Sequence, residues 1–293
     1  MTQDQTDAVF RKTPLAPGLY FVATPIGSAR DITLRALDIL ASADVIAAED
    51  TRMTRKLMDL HAVPLAGRPL VPYHDHNGAA QRPRLLALIA EGKSVAYASD
   101  AGTPLVADPG FVLGRAAIEA GVMVTTAPGP SSVLAALTLS GLPTDRFHFA
   151  GFIPNARNAR KKFLQEIAQI PATVIVFETA KRAVAALEDM AEVLGPDRQV
   201  ALCREMTKKF ETTLRGSVAE LLELCSASAP RGEIVIVIDR ASKVEATPEM
   251  LVAALEEAMQ THSVKESATI IAEKFGSPRR TVYQIALSLK DRA

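Results

Sequence analysis

Between Leu19 and Leu139 short β-rich runs alternate with amphipathic stretches, and four of the runs end in loops rich in glycine, proline or acid. The runs are Leu19–Ala23, Asp44–Ala48, Ser94–Ser99 and Val122–Ala127. Asp31–Ala41, Pro83–Glu91, Pro109–Ala120 and Ser131–Leu139 have helical spacing. This alternation predicts a mostly parallel sheet covered by helices, because parallel neighbours need a crossover and the crossover is usually a helix. In such a sheet the carboxyl ends of all strands share one edge, where ligands of open α/β sheets bind. Four loops fall there: Thr24–Ser28, Glu49–Arg52, Asp100–Pro104 and Pro128–Ser132. Gly102 and Gly129 permit close backbone approach, and Ser131 and Ser132 open a helix whose free N–H groups suit a carboxylate. Asp100 suits hydroxyls or a nearby cation. Each feature alone is an ordinary turn or cap; together at one edge they predict a small-molecule site.

The pattern restarts after Gly141-Leu142-Pro143. Phe147–Phe152, Thr173–Phe177, Val200–Arg204 and Ile234–Asp239 read as strands, with helices over Lys161–Ile170 and Arg182–Leu194. The expected organisation is a loose polar tail over residues 1–16, an α/β domain over 17–142, a second over 143–240 and a small helical domain over 247–293. In the last, Thr247-Pro248 reads as a cap with proline at the first helical position. Ser263 to Glu266 matches a capping box, and Gly276 ends that helix. The pattern is helix–turn–helix-like, with a plain helical hairpin as the alternative.

The charge balance, 33 basic against 33 acidic residues in 293, gives no global warrant for nucleic-acid binding, so only a local patch can carry it. No apolar run approaches the ~18 residues of a membrane helix, and the first residues lack the apolar core of a signal peptide. Two cysteines without a C-x-x-C exclude a disulfide framework. The expectation is therefore a cytoplasmic protein with no membrane partner. There is no G-x-G, P-loop, H-E-x-x-H or G-x-S-x-G. His74-Asp75-His76 has nothing nearby to complete a zinc set, so no metal is expected.

GLYFVATPIGSARDITLRALDIL, IAAEDTR, SDAGTPLVADPG and APGPSS resemble the tetrapyrrole-methylase superfamily. Together with GLPTDRFHFAGFIP, FETAKR, CREMTKKFET and RGEIVIVI they are similar to its branch that 2′-O-methylates a cytidine in the decoding region of 16S ribosomal RNA. The likeness covers about residues 17–240, more weakly 247–291. Ser28, Asp75 and Ala180-Lys181 depart from the branch, which usually has Asn, Glu and Pro-His there. The resemblance implies two α/β domains with S-adenosyl-L-methionine in the cleft between them, and a homodimer. It implies cofactor contacts from Pro25, Gly27, Asp100, Ala101, Gly102, Thr103, Pro104, Ser131 and Ser132, with Phe177 and Thr179 from the second domain. The alternative activity on this scaffold is carbon methylation of a tetrapyrrole of the uroporphyrinogen or precorrin type.

Methylation of a ribose hydroxyl is helped by a nearby base or by a cation that favours the developing alkoxide. Glu49, Asp50, Glu178 and Glu205 are the candidate bases. Arg52, Arg204 and Lys208 are candidate cations. Each has an ordinary alternative, such as helix N-terminal charge for Glu49 and Asp50 or an ion pair for Arg204 and Glu205. For 16S rRNA within the small subunit, phosphate contacts are expected from Arg157, Arg160, Lys161 and Lys162, and from a tail segment with Lys274, Arg279, Arg280, Lys290 and Arg292. With no Trp and 4 Tyr, shape recognition is favoured over extensive base stacking.

Overall fold

The computed structural model describes residues 9–241 and 248–290. Residues 1–8 of the expected tail, Thr247 and Arg292 lie outside them. The first sheet contains β1 (Gly18–Val22), β2 (Val45–Ala48), β3 (Leu70–Pro72), β4 (Ser94–Ala98) and β5 (Val124–Ala127) in the order β3-β2-β4-β1-β5, all parallel. Residues of β1, β2 and β4 are buried throughout, as expected of parallel strands covered on both faces. The crossovers are α1 (Leu34–Ser42), α2 (Thr51–Leu60), α3 (Gly78–Ala90) and α4 (Gly110–Glu119), and α5 (Ser132–Ser140) follows β5 and leads to the second sheet. Leu37 and Leu40 of α1 and Met58 of α2 pack with Val22, Ile46 and Ala96 on one face. Leu85 and Ile89 of α3 and Leu113 of α4 pack with Leu19, Phe21 and Tyr97 on the other. The expected helix from Asp31 begins instead at Leu34, because Thr33 caps it by accepting from the Ala36 N–H at 3.1 Å.

The second sheet contains β6 (Phe147–Phe152), β7 (Thr173–Thr179), β8 (Gln199–Arg204), β9 (Thr212–Ser217) and β10 (Glu233–Ile238), in the order β6-β7-β10-β8-β9. Only β6 and β7 pair in parallel; the other pairs are antiparallel. Helices α6 (Arg157–Ala168), α7 (Ala183–Leu194) and α8 (Val218–Ala227) cover one face through Leu164, Leu187 and Leu221. The other face, with Ile175, Ala201 and Val235, packs on Val133, Ala136 and Leu137 of α5. Helix α5 therefore joins the two sheets in one core, and the chain through Arg240 is a single compact unit.

A separate compact unit follows. Its helices are α9 (Pro248–Ala258), α10 (Val264–Phe275) and α11 (Arg279–Lys290), packed through Leu255, Ile271, Val282 and Ala286. Ser263 and Glu266 form a capping box, and Gly276 takes a left-handed conformation after α10.

Candidate active site

Parallel register brings the loops after β1, β2, β4 and β5 to one edge, and hydrogen bonds knit all four, the Asp50 N–H donating to Asp100 Oδ1 at 2.8 Å. Thr24 and Gly102 exchange two backbone hydrogen bonds, each 3.0 Å. The Ser99 hydroxyl donates to the Gly102 carbonyl at 2.6 Å, and Thr103 Oγ1 donates to the Pro130 carbonyl at 3.0 Å. Gly102 has φ +80, which favours glycine. The second half meets this edge at Gly27. A Cβ there would lie 2.5 Å from Thr207 Oγ1 and 2.7 Å from the Met206 carbonyl, so only glycine admits the loop. Thr207 Oγ1 accepts from the Ser28 N–H at 2.9 Å. Leu105, Ala107, Glu205 and Thr207 all have positive φ. At roughly 1–2 kcal/mol each, left-handed non-glycine residues persist only where surrounding packing holds them.

A cleft of about 380 Å³ opens between these loops and the ends of β7 and β10. Ile26, Val106, Phe152, Phe177 and Met206 make its apolar wall, and five acids, Glu49, Asp100, Asp108, Glu178 and Glu233, line it as well. Phe177 is fixed between Phe149 and Phe152, with ring centroids 4.7 and 5.2 Å away. Burial pushes the Glu49 carboxyl above its usual range, and Asp100, Asp108, Asp75 and Asp50 add to the rise. Burial likewise raises Asp108, which accepts from the Tyr97 hydroxyl at 2.7 Å and the Gly110 N–H at 2.6 Å. Glu178 Oε1 accepts from the Thr179 N–H and from Arg182, each at 2.6 Å. Its other oxygen is buried without a partner among the described residues.

Of the residues singled out from the sequence, Glu49, Asp100, Ala101, Ser132, Phe177, Glu178 and Thr179 line this cleft. Pro25 and Gly27 line a neighbouring pocket of about 170 Å³ that also includes Asp100. Gly102, Thr103 and Ser131 shape the loops, Ser131 by capping α5, and Pro104 is buried beside them. Two candidate bases are otherwise engaged. Asp50 caps α2, accepts from Arg52 Nη2 at 2.7 Å and is held down at about 2. Glu205 accepts from the Glu233 N–H at 2.9 Å and pairs with Lys208 at 3.1 Å, which holds it below the usual range. Arg52 projects into solvent, 89% exposed. Lys208 is committed to Glu205 and Glu233, and Arg204 is half-buried with an unpartnered Nε.

The basic run on α6 requires a correction. Arg160 is buried, 2.7 Å from Asp189 of α7, so it cannot reach a phosphate. Arg157 bonds Asp189 at 3.0 Å, and Lys161 bonds Glu192 at 2.6 Å. Lys162, and Arg279 and Arg280 of α11, remain exposed. Asp108, Phe152, Met206 and the Gly232–Val235 edge line the cleft without having been singled out. Their only sequence signal is position inside the motifs LVADPG, AGFIP, CREM and RGEIVIVI.

The family model for Tetrapyrrole (Corrin/Porphyrin) Methylases matches residues 18–222, and that for the RsmI C-terminal HTH domain matches 245–290. The ribosomal RNA small subunit methyltransferase I of Mesorhizobium japonicum is 43% identical over 279 residues, covering 95% of this chain and 94% of that protein. The protein of the same name from Haemophilus influenzae is 40% identical, covering 94% and 98%. The chain belongs to the ribosomal RNA small subunit methyltransferase I family, within the tetrapyrrole methylases. Solved structures share the fold. A conserved hypothetical protein from Aeropyrum pernix K1 aligns with a TM-score of 0.62 at 20% identity, covering 95% of this chain and 98% of that one. A cobalt precorrin-4 methyltransferase aligns at 0.57 and 20% identity, covering 75% and 94%.

Proposed function

We propose that the protein uses S-adenosyl-L-methionine to methylate the ribose 2′-hydroxyl of a cytidine in the decoding region of 16S rRNA, within the small ribosomal subunit. Kinship with the rRNA methyltransferases supports the reaction class. The observation that carries the site assignment is the unpartnered Glu178 oxygen in an apolar-walled cleft rich in carboxyls. A buried acceptor without a donor is costly unless a ligand supplies one, and an adenosyl group carries amino and hydroxyl donors. When bound, the cofactor supplies an electrophilic methyl on a positively charged sulfur, and the acids lining the cleft favour that charge.

The chain's own residues divide the remaining work. Phe177, Ile26 and Met206 offer apolar faces, while Asp100, Ala101, Ser132 and Thr179 present polar and backbone groups. Orientation of the ribose oxygen supplies much of the rate. Glu49 is the proton acceptor in this reading, because it lines the cleft and burial raises its affinity for a proton. It accepts only when ionised, so transfer rises as pH climbs through its titration. Glu49→Gln is expected to lower kcat by about 10²–10⁴-fold and abolish that rise, with a much smaller loss of cofactor affinity.

A homodimer and cytoplasmic action belong to the same reading. The exposed Phe111, Val112, Ile118 and Met123 along α4 and before β5 support self-association. The free cysteines, Cys203 and Cys225, agree with a reducing compartment. Among the described residues no helix is long and apolar enough to cross a membrane. The test offers labelled cofactor to the purified protein with either small ribosomal subunits or uroporphyrinogen. Label in the RNA is the expected result; label in the porphyrin alone overturns the reading.

A further inference from the structure

The smaller pocket beside the cleft has a wall made by α2, which begins two residues after Glu49, behind its cap Asp50. Asp100 lines both concavities, so a group seated in one adjoins the other. Thr54 stands in the pocket wall, 2% exposed, and its hydroxyl has no hydrogen-bond partner among the described residues. Lys56 stands beside it at the surface. The outward face of α2 carries Arg52, Arg55 and Lys56, all exposed, against the single exposed acid Asp59. Arg55 holds Asp59 at 2.9 Å, but both side chains are about half exposed, so water or a phosphate exchanges for that contact at little cost. At the far end, His61 Nε2 meets the Ala29 carbonyl at 2.9 Å and ties α2 to a turn bearing the exposed Arg30.

We infer that α2 is the substrate-strand surface of the RNA reaction: Arg55 and Lys56 contact its phosphates, and the pocket beside Thr54 receives the unstacked target nucleotide. This rests on the RNA reading above. Charge complementarity selects the occupant, since a polyanion is the natural partner of a cationic helix face that ends at the site. The pocket's size suits one ring rather than a whole cofactor, and single-stranded RNA is commonly read with its bases splayed out. A nucleotide held there presents its ribose toward Asp100 and so toward the cleft.

The test uses the full-length protein, unmethylated small subunits and labelled cofactor. Arg55→Glu with Lys56→Glu is expected to raise KM at least about tenfold with kcat and cofactor affinity little changed. Each lost contact should flatten the slope of log KM against log salt by roughly 0.7, the single-strand value. Thr54→Val keeps the shape and removes the hydroxyl. It is expected to lower kcat/KM about three- to tenfold, the worth of one hydrogen bond, while Tm holds or rises because an unsatisfied buried group is gone. Wild-type transfer with unchanged KM and salt slope in the double variant overturns this inference and leaves the RNA reading intact. Absence of wild-type transfer to subunits overturns both.

Discussion

Helices α2 and α6 look alike as strings: α2 has three cations in ten residues and α6 has four in twelve. They differ in what faces them. Three of the four cations of α6, Arg157, Arg160 and Lys161, meet Asp189 and Glu192 of α7, and the Arg160–Asp189 pair is sealed, its side chains 7% and 1% exposed. The ion pairs of α2 are local, to its cap Asp50 and to Asp59, and the cations Arg52 and Arg55 are exposed. Breaking an exposed pair costs up to about 1 kcal/mol, whereas breaking a buried one costs roughly 3–5 kcal/mol. A positive run therefore signals an anion partner only where its charges can be released cheaply. On α6 the charge serves the fold; on α2 it stays available to a ligand.

The sharpest way to break this contrast is Asp189→Ala. It should cost about 3–5 kcal/mol in denaturant unfolding, because it strands the buried Arg160, while transfer per folded molecule holds. A mild stability loss with lost RNA transfer would mean that α6 contacts substrate. The same pair predicts a pH response. Burial pushes Asp189 up, but Arg160 and Arg157 outweigh it and leave it below its usual range. Its contribution is therefore present above the unfolded carboxylate's titration and lost as pH falls through the lower folded value. Acid melts should show this loss in the wild type and not in Asp189→Asn, a result read from Tm against pH.

Smaller effects sharpen the comparison further. Lys162→Glu reverses the exposed charge of α6 that is free of the α7 acids, and should move KM for subunits less than about twofold, within the range of a rim charge. An effect equal to that of the α2 double variant would erase the distinction between the helices. Ser28→Asn should change least. Ser28 contributes its backbone N–H to Thr207, a bond any residue but proline supplies, so Tm and cofactor affinity measured by calorimetry should stay put.

Much of the first half was legible because alternation dictates a parallel sheet, and a parallel sheet dictates one ligand edge. The capping box at Ser263 and the cap at Ser131 were legible for the same local reason. Helix α2 was not: only Thr54 and Met58 of TRMTRKLMDL are buried, too few to print a periodic stripe. Strand β9 is a half-exposed edge with the polar sequence TTLRGS, and it hid likewise. At the site, the motifs pointed to Asp100, Phe177 and Glu178, but the roles of the acids depend on distant partners. Asp189 lies 29 residues from Arg160, and Glu205 is claimed by a backbone group 28 residues away. Asp50 was the exception, since its capping partner Arg52 is only two residues on. Glu49 and Asp108 became distinct only once folding brought their carboxyls to one cleft.

The most direct measurement is to digest the RNA of labelled small subunits to nucleosides and find which atom carries the methyl group. The wild type is expected to give 2′-O-methylcytidine, and Glu49→Gln only traces of it at neutral pH. A methyl on a base carbon or nitrogen, or full ribose methylation by Glu49→Gln, would contradict it.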